Sequence, residues 1–427
     1  MHDFKFKNNE LYCESIKVRR IAKEVGTPFY LYSHNTLVDH FIKLKEAFAK
    51  IDPIVCFAMK ANDNLAVIKT LVNQGAGFDI VSIGELKKAR KAKADMKKIV
   101  FASVGKTEEE IVEAIKADIL FFNVESLPEL EEINRIAKKL KKKPRVALRI
   151  NPDIDAPTHA KITTGTLKNK FGIDLQTAHK IMKNHKKYAH IQFSGLHVHI
   201  GSQITKAQPF IDAIKKVIAF VDTLKADGII LQYLDIGGGL GIIYKDEKPQ
   251  TAQKFAEVIL PYLEKTGLKI IMEPGRFIAG NAGIFVTKVL YLKDNGVKKF
   301  LIVDGGMNDL MRPTLYDAYH EIVPLKKKNS KKIKVDVVGP ICESGDFFAK
   351  DRKLPVMRKD DLLAIMSTGA YGYVMASNYN VRGRPPEVMV KGNKFAVVKK
   401  REMFKDLIRG ESIPGFLDFK KGFLKNA

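Results

Sequence analysis

From about residue 29 to residue 280, short unbroken apolar runs alternate with longer stretches whose apolar residues recur every three to four positions. The short runs suit strands buried on both faces, and the longer stretches suit amphipathic helices. Phe29-Tyr-Leu-Tyr32 is the first clear strand, and Thr36 to Lys50 reads as a helix. Eight strand–helix repeats follow. Their strands are Pro53 to Lys60, Gly77 to Ser82, Ile99 to Ser103, Ile119 to Asn123, Arg145 to Asn151, Phe193 to His199, Leu231 to Ile236 and Leu268 to Met272. Ser82 with Glu85, Thr107 with Glu110 and Ser126 with Glu129 have the spacing of capping boxes at three helix starts.

Eight such repeats predict an α/β fold, a (β/α)8 barrel over residues 36–280. A doubly wound open sheet would carry its glycine-rich phosphate loop after the first strand. Here Lys60 ends the first strand and the glycine cluster ends the seventh, so the barrel fits better. Beyond residue 280 the runs are short, separated by turns and nearly free of helix, which predicts a mainly antiparallel β domain over residues 281–427. Residues 1–35 are expected to add a strand to it.

Polar residues fall where each barrel strand ends: Lys60, Asp79, Ser103, Asn123, Asn151, His199, Gly237-Gly238-Gly239 and Glu273. In a barrel these positions ring one mouth, where barrel enzymes do their chemistry.

Composition narrows the classes. The chain has 427 residues, 45% of them hydrophobic and 25 of them Phe, which suits a globular protein of about two domains. No apolar run approaches the roughly 18 residues that span a bilayer, so no membrane is expected. The N-terminus is polar and mixed in charge, unlike a signal peptide. Cys13, Cys56 and Cys342 form neither a disulfide framework nor metal-site spacing, and a reducing cytoplasm is the simplest compartment. A net charge of +25, from 73 basic and 48 acidic residues, raises nucleic-acid binding as a rival. The lysines are spread over helix-like segments, however, and no nucleic-acid motif is present, so no nucleic-acid partner is expected.

The strand-end residues suggest one chemistry. A lysine such as Lys60 can attack a carbonyl and form a Schiff base. Three consecutive glycines, Gly237 to Gly239, expose backbone N–H groups that can cradle an anion, and the loops after strands seven and eight are the habitual phosphate site of barrels. Glu273 in Glu273-Pro-Gly-Arg276 either pairs with Arg276 or meets a protonated ring nitrogen. Together these describe pyridoxal 5′-phosphate. His197 and His199 lie two residues apart but lack an evident third metal ligand, so no metal is expected. A flat imidazole stacked on the cofactor, with Ser202 near its phosphate, is the simpler reading.

Phe57-Ala-Met-Lys60-Ala-Asn, His197-Val-His199-Ile-Gly-Ser202, the triple glycine, Glu273-Pro-Gly-Arg276, Asp304-Gly-Gly-Met-Asn-Asp-Leu-Met-Arg312-Pro-Thr-Leu-Tyr316 and Cys342-Glu343-Ser-Gly-Asp resemble the diaminopimelate decarboxylases. These are pyridoxal-phosphate enzymes of the barrel-plus-β-domain type shared with alanine racemase. The resemblance implies that Lys60 carries the cofactor, His199 stacks on its ring and Glu273 meets the pyridine nitrogen. It further implies phosphate contacts from Ser202, Gly237, Gly238, Gly239, Gly275, Arg276 and Tyr371, with Asp79 beside the cofactor. Arg276, Arg312, Tyr316, Glu343 and Tyr371 correspond to the substrate-binding set, and Cys342 to the proton donor. The implied reaction converts meso-2,6-diaminopimelate to L-lysine and carbon dioxide in a homodimer whose Cys342 and Glu343 cross into the other subunit's site. Decarboxylation of another basic amino acid or of carboxynorspermidine is the alternative. The polar segment Thr158 to Lys170, which contains Gly165, reads as a lid over the site.

Overall fold

The computed structural model describes residues 3–154 and 170–417. Twenty strands run through it. The N-terminal four are β1 (Phe4–Lys7), β2 (Glu10–Cys13), β3 (Ile16–Lys17) and β4 (Phe29–Ser33). Eight follow as β5 (Ile54–Ala58), β6 (Gly77–Ile80), β7 (Ile99–Phe101), β8 (Phe121–Val124), β9 (Arg145–Arg149), β10 (Gln192–His197), β11 (Tyr233–Asp235) and β12 (Lys269–Met272). The last eight are β13 (Gly283–Asp294), β14 (Lys299–Val303), β15 (Ile322–Pro324), β16 (Lys332–Val338), β17 (Phe347–Pro355), β18 (Leu362–Ile365), β19 (Glu387–Lys391) and β20 (Lys394–Lys399).

Strands β5 to β12 close into a parallel barrel, as the eight repeats predict. Every neighbouring pair is parallel, with β12 hydrogen-bonded back to β5. The strands are shorter than their apolar runs because the last residues of each run leave the ladder to form the mouth. Lys60, for example, sits in a turn of 3-10 helix, Met59–Ala61, just past β5. Outward-facing Phe57, Phe78, Phe101 and Phe122 are fully buried against the surrounding helices. Truncating one such ring to alanine typically costs about 3–5 kcal/mol.

One of the three expected capping boxes is complete. Thr107 and Glu110 bond reciprocally. Ser82 and Ser126 do accept from the backbone N–H of Glu85 and Glu129, but those glutamates accept from Val81 and Glu125 instead of from the serines. The physical reason is backbone geometry. Both serines have φ near −159°, against −78° at Thr107, which turns the serine N–H away and offers the preceding one.

The remaining strands form a nine-stranded mixed sheet and a small three-stranded sheet, β1-β2-β3. Most pairs of the larger sheet are antiparallel, and β14/β16 and β4/β19 are parallel. The strand expected from the N-terminal residues lies in the middle of that sheet, where β4 pairs with β13 on one side and β19 on the other. Among the described residues no helix is long and apolar enough to cross a membrane.

Candidate active site

The barrel interior is layered. Cys56, Val100, Phe121, Ala147 and Ile271 form a buried apolar floor. Side chains two residues apart share a face of a strand, so the next inward position above Phe121 is Asn123, above Ala147 it is Arg149, and above Ile271 it is Glu273. Asp79, His197 and Asp235 complete this second layer from the ends of β6, β10 and β11. None of the six is more than 6% exposed.

A dry polar layer must satisfy its charges internally. The Lys60 ammonium meets Asp79 Oδ2 at 2.9 Å. The Asn123 amide donates to Glu273 Oε1 at 3.1 Å and lies 3.4 Å from Asp235 Oδ2. His197 Nε2 is 3.4 Å from Glu273 Oε2, close enough for attraction but outside hydrogen-bond geometry. Burial alone would raise the Glu273 carboxyl, yet His197 in contact and Lys60 nearby outweigh it and hold Glu273 ionised. Asp235 goes the other way: burial and the neighbouring Glu273 charge push its pKa well above the ordinary carboxylate value. Burial would strip the Lys60 proton, but Asp79 and Glu273 overcome this and hold it above its ordinary value. The Lys60 side chain is 36% accessible, with that surface in the wall of the cavity, while its charge partners Asp79 and Glu273 are buried.

Above the polar layer lies a cavity of about 530 Å³, within the range of small-molecule sites. Lys60, His199, Ser202, Glu273, Arg276, Arg312, Tyr316 and Tyr371, all named from sequence, line it together. Arg276 turns away from Glu273. Its Nη1 donates to Tyr244 Oη at 2.6 Å and its Nη2 to Ser202 Oγ at 3.1 Å, and its guanidinium lies 4.9 Å from the Tyr371 ring. The alternative in which Arg276 pairs with Glu273 is therefore not what the structure contains.

The triple glycine sits beside the cavity for a steric reason as well. A Cβ on Gly238 would lie 2.2 Å from Glu273 O, and one on Gly239 would lie 2.5 Å from Gly201 O, so only glycine permits these backbones to approach. The Gly238 N–H donates to His199 Nδ1 at 3.2 Å, which leaves the ring proton on Nε2. Burial and nearby Lys60 lower the His199 pKa and keep the ring neutral. Gly275 is also close-packed, though less so, with its Cβ position 3.0 Å from the Ala61 methyl.

Some expected residues lie elsewhere. Cys342 and Glu343 are exposed and do not line the cavity of their own chain. The Cys342 N–H donates to Asn380 Oδ1 at 3.0 Å. Asn151 braces a loop through Phe171 O and the Asp153 N–H, away from the cavity wall. Residues 155–169, nearly all of the segment read as a lid, lie outside the described residues. Of the two histidines, His197 gains such neighbours: it, Asp235 and Glu273 place ligand-type atoms within 4.8 Å of one another, and His199 is not among them.

Four participants escaped the sequence reading. Arg149 lines the cavity, bonded to Glu125 at 2.5 Å and 4.7 Å from the Phe171 ring. Counting two residues on from Ala147 along the strand would have found it. Asp235 lies inside the seventh apolar run, two residues before the glycine cluster, and was not singled out. Tyr244 and His320 gave no local signal, because both belong to contacts between the loop after β11 and the segment before β15.

The residues present fit pyridoxal phosphate. Asp79 Oδ1 and Asn123 Oδ1, in the polar layer beneath the cavity, and Arg276 Nε, in its wall, are buried without a hydrogen-bond partner, a cluster of unmet polar groups that folded proteins rarely leave together. An amine, an ionised carboxylate and a guanidinium on three walls match the aldehyde, ring nitrogen and phosphate of that cofactor.

Comparison with known proteins agrees. The family described as "Pyridoxal-dependent decarboxylase, pyridoxal binding domain" matches residues 34–280. A protein of Aquifex aeolicus named diaminopimelate decarboxylase is 46% identical over 93% of this chain and 95% of its own. One from Vibrio cholerae is 45% identical over 95% of this chain and 98% of its own. The diaminopimelate decarboxylase of Helicobacter pylori, solved with L-lysine, superposes with a TM-score of 0.89 at 43% identity, covering 92% of this chain and 98% of that one. The M. jannaschii enzyme, also solved with L-lysine, gives 0.92 at 40% identity, covering 97% and 98%. With its barrel, its lysine-and-glutamate cavity and full-length likeness to these proteins, the chain belongs to the diaminopimelate decarboxylase family of pyridoxal-dependent decarboxylases.

Proposed function

We propose that this protein binds pyridoxal 5′-phosphate and decarboxylates meso-2,6-diaminopimelate at its D centre, releasing carbon dioxide and L-lysine as the last step of lysine biosynthesis. The observation that carries the reading is the lining of one cavity, which brings the Lys60 amine and the Glu273 carboxylate together with the buried guanidiniums of Arg276 and Arg312. A buried cation needs an anion to meet it, and a substrate that keeps one carboxylate while losing the other supplies it. Ornithine and arginine carry no second carboxylate, which disfavours them.

Bound pyridoxal phosphate supplies the electron sink for the pair left behind when carbon dioxide departs. The chain's residues do the rest. Lys60 anchors the cofactor through its amine, and Asp79 holds and orients that amine. Glu273, kept ionised by His197 and Lys60, stabilises positive charge on a ring nitrogen placed against it. The neutral His199 imidazole offers a flat face for stacking. Ser202, Gly237, Gly238, Gly239, Gly275, Arg276 and Tyr371 form the phosphate end. Arg312 takes the distal carboxylate as a two-pronged donor, helped by Tyr316.

Proton return and ammonium recognition require Cys342 and Glu343 of the partner subunit, so the working unit is a homodimer. Both residues are exposed and lie outside their own chain's cavity. Beside them Asn380, which holds the Cys342 N–H, precedes Val381, 68% exposed and at φ +55°. An exposed β-branched residue in the left-handed region is costly, and a partner surface would stabilise it. Residues 36–280 serve as the cofactor-binding unit and 281–427 as the β domain. The three free cysteines, two of them buried, suit the cytoplasm.

Incubating the purified protein with pyridoxal phosphate and meso-diaminopimelate should yield equal amounts of L-lysine and carbon dioxide. Carbon dioxide from ornithine, arginine or carboxynorspermidine, with none from diaminopimelate, would overturn the reading.

A further inference from the structure

His320 lies behind Arg312 and is completely buried. Its Nδ1 is 2.8 Å from Met366 O. A carbonyl oxygen only accepts, so Nδ1 carries the proton. Its Nε2 is 3.3 Å from Arg312 Nε. A guanidinium only donates, so Nε2 offers its lone pair. The two bonds together admit one species, the neutral ring protonated at Nδ1. Met366 is itself fixed, because its N–H donates to Glu321 O at 2.8 Å beside the β15/β18 ladder. The imidazole therefore has a rigid anchor on its far side.

Arg312 is gripped on a second face. Its guanidinium lies 5.0 Å from the Tyr244 ring, and that ring meets His320 edge-on at 5.3 Å and 83°. The Tyr244 hydroxyl is engaged by Arg276, so the tyrosine is held too. Among the described residues, the hydrogen bond that the Arg312 side chain makes is through Nε, which leaves both Nη groups to the cavity.

We propose that His320 is a positioning residue for substrate recognition: by accepting from Arg312 Nε it fixes the guanidinium plane, so that the two Nη groups meet the distal carboxylate of the substrate as a preset fork. This rests on the reading of Arg312 given above.

The choice of histidine has a chemical reason. An aspartate or glutamate in its place would orient the guanidinium equally well but would cancel its charge and compete with the substrate carboxylate. A neutral imidazole directs the donor and leaves the full positive charge for the ligand. Burial, reinforced by Arg312, pushes the His320 pKa down to about 3, so the ring stays neutral at any working pH. A flexible arginine that is already oriented loses less freedom on binding.

The test uses the holoenzyme and two probes, L-lysine, which keeps the distal carboxylate, and cadaverine, which lacks it. For His320→Phe we expect the KM for diaminopimelate and the calorimetric Kd for L-lysine to rise about tenfold or more, with kcat changed less than about threefold. Cadaverine affinity should stay as in the unaltered protein. His320→Gln, whose amide can donate to Met366 O and accept from Nε, should recover much of the L-lysine affinity. Equal weakening of L-lysine and cadaverine, or no weakening of either, would overturn the proposal. If the aromatic variant fails to fold, nitrogen-15 spectra of the unaltered protein decide the matter. His320 must show a protonated Nδ1 and a bare Nε2 from about pH 5 to about pH 8, and a protonated Nε2 would refute the fork. Failure of the unaltered enzyme to bind L-lysine would instead strike the proposed function itself.

Discussion

The Lys60 ammonium and the Asp79 carboxylate form an ion pair of 2.9 Å at the mouth of the barrel, with Asp79 wholly buried. Breaking such a pair from one side leaves the other charge stranded, typically at about 3–5 kcal/mol. Lys60→Ala should therefore abolish activity and also destabilise the protein in a pH-dependent way. Asp79 already titrates near 6, above its ordinary 3.8, because burial outweighs the attraction of Lys60. Without the ammonium it rises further. A folded-state pKa above the unfolded one means the folded protein holds the extra proton, so stability falls as pH rises from the unfolded pKa to the folded one, and raising the folded pKa extends that fall to higher pH. Thermal denaturation at about pH 5 and about pH 8 should show the larger deficit at the higher pH.

Arg312→Lys keeps the charge but replaces a planar fork by a point donor. The expected loss in kcat/KM for diaminopimelate is tenfold or more, carried mainly by KM. Steady-state kinetics resolve the split, and an unchanged KM would remove Arg312 from the substrate-binding set.

Subunit sharing can be read by mixing two dead enzymes. Lys60→Ala and Cys342→Ala are each expected to be inactive alone. If Cys342 serves the opposite subunit, a mixed dimer contains one intact site, and random pairing restores about a quarter of full activity. Unfolding and refolding the variants together gives the measurement. No recovery would place Cys342 in its own subunit's site.

Gly238→Ala tests the tight loop after β11. The added methyl would stand 2.2 Å from Glu273 O, so the end of β12 must shift and carry the Glu273 carboxylate with it. The expected cost is about 1–3 kcal/mol in stability, together with weaker cofactor retention on dialysis. An unaltered melting temperature would show that the loop yields without moving Glu273.

The barrel was legible because eight apolar runs of strand length cannot be hidden, and each ends in a residue with a polar or glycine-specific purpose. What those runs did not disclose is depth. Asn151 ends its run as Asn123 does, yet Asn123 bonds Glu273 while Asn151 braces a neighbouring loop. The paired glutamates at Glu85 and Glu129 have the right spacing for reciprocal caps, but the extended φ at Ser82 and Ser126 redirects them. Tyr244 and His320 were invisible for a different reason. They are 76 residues apart in numbering and meet Arg312 only because the β domain is folded across the barrel mouth.

Strand β4, made from residues 29 to 33, is clasped between β13 and β19. Made long before β19 (Glu387–Lys391), it must wait through more than three hundred residues of synthesis before its second neighbour exists. Until then its amides face water or whatever other strand passes by. A chain cut short after the barrel would carry that open edge permanently, so premature termination here should yield clumping fragments and not a spare cofactor-binding module.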